Sequence, residues 1–102
     1  MVGGDGDMLI SLDYDKTYTA DPHFWDQVVN LGRANGHEFV CVTARREPPD
    51  SHERRIPMAV VCAGNQFKRH AAAKAGYLVD VWIDDTPEVI APTKILDWES
   101  AR

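Results

Sequence analysis

The amino-acid sequence predicts a three-layer, doubly wound α/β fold: a parallel sheet of four to five strands with helices on both faces. Three observations predict it. Short apolar runs alternate with helix-like stretches along the chain. The runs are apolar throughout rather than alternating with period two, as strands buried on both faces are. Several runs also end in polar groups, which is where an open parallel sheet carries its ligand, beyond the carboxyl ends of its strands.

The elements follow in order. Residues 1–7, rich in Gly and Asp, read as a loose start, and residues 8–102 as one domain. Met8-Leu9-Ile10-Ser11-Leu12 is the first strand and delivers Asp13-Tyr14-Asp15-Lys16-Thr17. A helix begins at Asp21, a capping residue followed by Pro22; Trp25, Val28, Val29 and Gly32 share one face of it, and Gly36 stops it. The second strand covers residues 38–42. A polar loop over 45–57, containing Pro48-Pro49, has room for one helical turn at 50–55.

The third strand covers 58–62, Gly64-Asn65 makes a turn, and 66–75 is an Ala-rich helix that Gly76 ends. The fourth strand, 80–83, feeds Asp84-Asp85 into Thr86-Pro87-Glu88, the start of a short helix that Pro92 curtails. Residues 94–98 are expected to add a fifth strand at the edge.

Composition narrows the function classes. A chain of 102 residues, 44% hydrophobic and 26% charged, has the balance of an ordinary globular domain with one modest core. No run is long enough to span a bilayer and no signal-peptide pattern opens the chain, so a cytoplasmic location without membrane association is expected. A net charge of −5 gives no support to bulk electrostatic binding of nucleic acid, though a local basic patch could still hold phosphate. Cys41 and Cys62 lie inside apolar runs, outside any CxxC motif, and read as buried free thiols.

The chemistry-bearing residues converge on one sheet edge. Asp13 and Asp15 follow the first strand, Thr43 the second, Lys68 comes shortly after the third, and Asp84-Asp85 follow the fourth. Close acids repel unless a cation or protons neutralise them, and carboxylates from two strands suit a hard oxygen-seeking ion such as Mg²⁺. A lysine and a hydroxyl opposite would hold phosphate oxygens. Asp13 is then placed to attack phosphorus and Asp15 to move a proton, so the assembly reads as phosphoryl transfer.

In this order, Asp13-x-Asp15-x-Thr17, Thr43, Lys68 and Asp84-Asp85 resemble the ordered motifs of the haloacid dehalogenase superfamily, specifically its phosphatases. The resemblance spans roughly residues 9–90 and implies a Rossmann-like core. It implies an Mg²⁺-dependent phosphomonoester hydrolase working through an aspartyl-phosphate. Asp13 would be nucleophile and metal ligand, and Asp15 general acid then base, with its backbone carbonyl on the metal. Thr43 and Lys68 would stabilise the transferring phosphoryl group. Asp84 and Asp85 would complete the metal site, Asp85 as direct ligand and Asp84 as its support. Lys68 lacks the Lys-Pro pair common in relatives, which keeps Lys74 as the alternative.

The segments after Thr17 and over 45–57 are too short for a cap, so the site is expected to be open. An open site needs cover from a partner or from the substrate itself, which points to a nucleotide, a nucleic-acid end or another large phosphorylated molecule. Arg45, two residues after Thr43, is then either a substrate-anion contact or a solvated loop charge. Lys68, Arg69 and His70 oppose the dipole at the start of their helix, and a bound anion would offset that.

Three other readings compete. A calcium loop is rejected because Tyr18 sits where Gly is needed and Phe24 where a bidentate Glu is needed. A signalling receiver would carry its phosphorylated aspartate at the third strand, which here ends without an acid. A phosphate-binding regulatory protein that no longer turns over is the remaining alternative; retention of both Asp13 and Asp15 argues against it. His23, His37 and His52 read as surface residues, and Trp25, Trp82 and Tyr77 as packing.

Overall fold

A computed structural model describes residues 6–92, so the edge strand expected at 94–98 lies outside the described residues. Four strands, Leu9–Leu12 (β1), Glu38–Thr43 (β2), Val60–Cys62 (β3) and Val81–Ile83 (β4), form a sheet in the order β3-β2-β1-β4. Every pairing is parallel. Two helices, Pro22–Ala34 (α1) and Lys68–Lys74 (α2), flank the sheet, and single 3-10 turns occupy Tyr18–Ala20 and Pro87–Val89. This is the small Rossmann-like α/β core expected from the sequence, and no cap domain is present among the described residues.

Strand pleating separates two apolar clusters. Leu12, Phe39 and Cys41 face one side and pack with Val29 of α1, Ile56 and the rings of Tyr14 and Tyr18. Val40 and Val42 face the other and pack against Ala72 of α2, with Trp82, Tyr77 and Val61 around them. Trp25, Trp82 and Tyr77 are half-buried packing residues, as read from the sequence. Gly32 lets α1 approach the sheet: a Cβ there would lie 2.6 Å from the Phe39 ring. Both thiols are free, and burial pushes that of Cys41 up to about 12, which leaves it inert as a nucleophile at neutral pH.

α1 starts where its capping signals stand. The Asp21 carboxylate accepts the Phe24 N–H at 3.2 Å, Pro22 takes the first turn, and Gly36 at φ +90° leaves the helix. α2 is shorter than the 66–75 expected. Gln66 donates its N–H to the Ala63 carbonyl at 3.0 Å, closing a turn around Gly64 (φ +59°), so helix geometry begins only at Lys68.

β3 is likewise shorter than 58–62, because the Met58 N–H turns back to the Ile56 carbonyl at 2.9 Å. The segment over 50–55 makes one turn, closed by the Glu53 N–H on the Asp50 carbonyl at 3.1 Å, and no helix. The helix expected after Asp84-Asp85 is a single 3-10 turn. His37 is half-buried rather than a surface residue, its Nδ1 accepting the Met8 N–H at 3.0 Å.

Strand order places the site. From β1 the chain proceeds to β2 and β3 on one side, then returns to β4 on the other side of β1. The order therefore reverses between β1 and β4, which opens a crevice at their carboxyl ends. Leu12 and Ile83 are paired in register, so Asp13 and Asp84 emerge side by side into that crevice. No helix among the described residues is long and apolar enough to cross a membrane.

Candidate active site

Asp13 is held at the crevice by its backbone. Its N–H donates to the Ile83 carbonyl at 3.0 Å, extending the β1–β4 ladder by one bond, and its carbonyl accepts the Tyr18 N–H at 3.1 Å. The second bond folds residues 13–18 into a tight turn. Lys16 in that turn has φ +66°, a left-handed conformation rare for a side chain with a Cβ. Tyr14 and Tyr18, which the sequence reading did not assign to the core, anchor the turn with ring centroids 6.0 Å apart. The Tyr18 hydroxyl donates to Asp26 at 2.8 Å and that of Tyr14 to the Arg54 carbonyl. Their spacing of four residues was the only signal available for this pairing.

Lys68 reaches the same crevice from the first turn of α2. It is only 2% exposed, and its Nζ donates to Asp13 Oδ1 at 2.8 Å and to Asp84 Oδ2. Asp84 Oδ1 accepts the Thr86 N–H at 2.9 Å, so both of its oxygens are engaged. Asp13, Asp84 and Asp85 each place a carboxylate oxygen within 4.8 Å of the others. The Thr17 hydroxyl lies 3.3 Å from Asp13 Oδ2 and 3.5 Å from Asp85 Oδ1. Thr43, buried at the end of β2, lines the same open cavity of about 250 Å³ and accepts the Arg45 N–H at 3.2 Å.

Burial and neighbouring charge together set the protonation of this cluster. Burial pushes the Asp13 carboxyl up to about 6, outweighing the Lys68 hydrogen bond that pulls it down. Burial alone would lower the Lys68 ammonium, but its hydrogen bonds to Asp13 and Asp84 hold it above the ordinary lysine value. Asp85 is lowered, chiefly by its interaction with Asp13. With all three acids ionised, one ammonium faces three carboxylates. The excess negative charge, presented on oxygen atoms at close quarters, fits a hard divalent cation.

Asp15 stands apart from this cluster. Its carboxylate is half-exposed at the cavity rim and receives Arg45 Nε and Nη2, each at 2.9 Å. Arg45 also meets Glu53, at 2.8 Å from Nη1 and 2.7 Å from Nη2, and its guanidinium lies 5.0 Å from the Tyr14 ring centroid. Arg45 holds the Glu53 carboxyl down at about 2. No local sequence signal marks Glu53. Lys74 is exposed in the last turn of α2, at the opposite end from Lys68, and Arg69 and His70 are exposed. Arg54 pairs with Asp26 at 3.0 Å.

No family model, curated protein or solved structure matches the chain. The clustered Asp13/Asp84/Asp85 group, with Asp13 and Asp84 bridged by the buried Lys68 at the switch point of a parallel sheet, has the make-up of a catalytic or metal-binding site.

Proposed function

We propose that the chain is a divalent-cation-dependent phosphomonoester hydrolase of the haloacid dehalogenase type, in which Asp13 forms an aspartyl-phosphate. The observation that carries this reading is the buried Asp13 carboxylate: Lys68 holds one oxygen at 2.8 Å, and the two acids that follow β4 stand within 4.8 Å. A carboxylate made costly to bury is retained where its charge is used.

Asp13, Asp85 and the Asp15 carbonyl would hold Mg²⁺, with Asp84 steadying Lys68. The ion would supply charge neutralisation for the phosphoryl oxygens. An Asp13 oxygen attacks phosphorus as the ester P–O bond breaks, and the leaving oxygen takes the Asp15 proton. Asp15 next takes a proton from water as that water attacks the phosphorus of the aspartyl-phosphate, releasing inorganic phosphate and restoring Asp13. The Thr43 hydroxyl and the Lys68 ammonium donate to the phosphoryl oxygens. Large phosphorylated molecules, among them nucleotides and nucleic-acid ends, suit a site with no cap over it.

The test is a panel of phosphomonoesters: an aryl phosphate, mononucleotides, sugar phosphates, phosphopeptides and 3′-phosphorylated oligonucleotides. Hydrolysis of the aryl phosphate should need Mg²⁺ and stop in chelator. Among the others, an oligonucleotide should exceed a mononucleotide bearing the same terminal phosphate. Undiminished hydrolysis in chelator would refute the metal assignment, and no hydrolysis of any ester would refute the enzyme. Stable uptake of phosphate from a small donor, held without release, would favour a receiver-like protein instead.

A further inference from the structure

We propose that Glu53, on the loop after β2, is a positioning residue that acts through Arg45 to fix the carboxylate of Asp15. The proposal rests on the reading of Asp15 as proton carrier.

The geometry is that of a relay. Asp15 is half-exposed, and a carboxylate in that setting ordinarily samples several rotamers. Here Arg45 takes both of its oxygens in a planar fork, Nε and Nη2 at 2.9 Å each. An isolated Arg–carboxylate pair at this exposure restrains little. What distinguishes this one is the far side of the guanidinium. Glu53 accepts from Nη1 at 2.8 Å and meets Nη2 at 2.7 Å, while Tyr14 lies under the plane at 5.0 Å. The guanidinium is held on two edges and one face, so its orientation is fixed before any ligand arrives.

Glu53 is itself anchored. Its Oε1 accepts the Asp50 N–H at 3.1 Å and its own N–H donates to the Asp50 carbonyl at 3.1 Å. The next two residues are tied to the turn that carries Asp15: Tyr14 donates to the Arg54 carbonyl, and the Tyr18 hydroxyl lies 3.2 Å from the Arg55 carbonyl. The polar loop thus hands a fixed carboxylate to Arg45, and Arg45 hands a fixed orientation to Asp15.

The same contacts argue against Arg45 as a trap for the substrate's phosphate. Arg has five N–H donors, and most of them here are already taken by the side chains of Asp15 and Glu53. A proton carrier must sit within hydrogen-bond reach of the leaving oxygen, and small displacements of such groups carry large rate losses.

The experiment compares wild type, Glu53→Ala, Glu53→Gln, Asp15→Asn and the Asp15→Asn/Glu53→Ala double variant on an alkyl phosphate and on an activated aryl phosphate. Glu53→Ala should lower kcat on the alkyl ester by roughly tenfold or more, the scale of a misplaced catalytic group, with KM little changed. Glu53→Gln should recover part of the loss. The aryl ester, whose leaving group needs little protonation, should lose much less, and the double variant should be no slower than Asp15→Asn alone.

A loss confined to KM, or one of equal size in the Asp15→Asn background, overturns the proposal. The carboxyl ¹³C resonance of Asp15 without substrate supplies a readout independent of turnover. It should move in Glu53→Ala, and an unmoved resonance also overturns the proposal. If it moves while Asp15→Asn retains full turnover, Glu53 still positions Asp15 and the proton-carrier reading is what fails. Should Glu53→Ala not fold, Glu53→Gln carries the same measurements, with a smaller shift expected.

Discussion

Replacing Lys68 by methionine is expected to produce the largest combined loss of activity and stability of any single change in this chain. The ammonium is 2% exposed and bridges Asp13 and Asp84. Methionine keeps much of the volume and removes the charge, leaving two close carboxylates without their shared cation. Breaking a buried ion pair from one side costs about 3–5 kcal/mol. Unfolding in denaturant at pH 7 without metal should show a loss of that order. The loss should shrink in acid, where the Asp13 carboxyl is protonated and no longer needs the ammonium. It should also shrink with Mg²⁺, which can replace the missing positive charge. Turnover should fall together with stability, and metal should restore stability without restoring turnover. A Lys68→Met protein as stable as wild type at pH 7 would show that the bridge contributes nothing.

Asp13→Asn should behave in the opposite way on stability and equally severely on activity. Removing a nucleophile typically costs several orders of magnitude in rate, and hydrolysis should fall by roughly four or more. The same change should stabilise the metal-free fold at neutral pH. The carboxyl of Asp13 titrates at about 6 in the folded chain against an ordinary 3.8. Between those values the folded state binds more protons than the unfolded one. Stability from this group is therefore fully present below about pH 4 and is lost as pH rises through about 6, by at most about 3 kcal/mol.

Asparagine does not titrate, so the gap between variant and wild type should open from pH 4 to pH 7. Mg²⁺ should close it from the wild-type side. Parallel pH–stability curves for the two proteins would show that burial imposes no such penalty on Asp13.

How far the sequence reveals this molecule depends on the range of each interaction. The strands, their parallel arrangement and the arrival of Asp13, Thr43, Lys68 and Asp84-Asp85 at one edge follow from local patterns: apolar runs, capping residues and the polar groups that end each run. Lys68 comes to Asp13 because the switch point and the start of α2 meet, which topology alone suggests. The relay from Glu53 to Asp15 joins residues 38 positions apart through an arginine, and no periodicity or turn signal encodes it.

Tyr14 and Tyr18 were obscure for a related reason. Both sit in a polar, motif-like stretch, and their hydroxyls are buried because distant partners accept from them, the Arg54 carbonyl from Tyr14 and the Asp26 carboxylate from Tyr18. The early ends of α2 and β3 reflect single competing hydrogen bonds, Gln66 to Ala63 and Met58 to Ile56, which overrode otherwise adequate local propensity.

In the proposed reaction the phosphoryl group passes through the Asp13 carboxylate. The most direct measurement is to mix the Asp15→Asn variant with an aryl phosphate and Mg²⁺, quench in acid, and map the phosphoryl group by mass spectrometry of the digested chain. One hydroxylamine-labile phosphoryl group is expected on the peptide containing Asp13, present after Asp15→Asn because the second step is slowed, and missing when Asp13 is also changed to Asn. Steady hydrolysis by wild type with no phosphoryl group trapped on any variant, or one trapped on a residue other than Asp13, would contradict it.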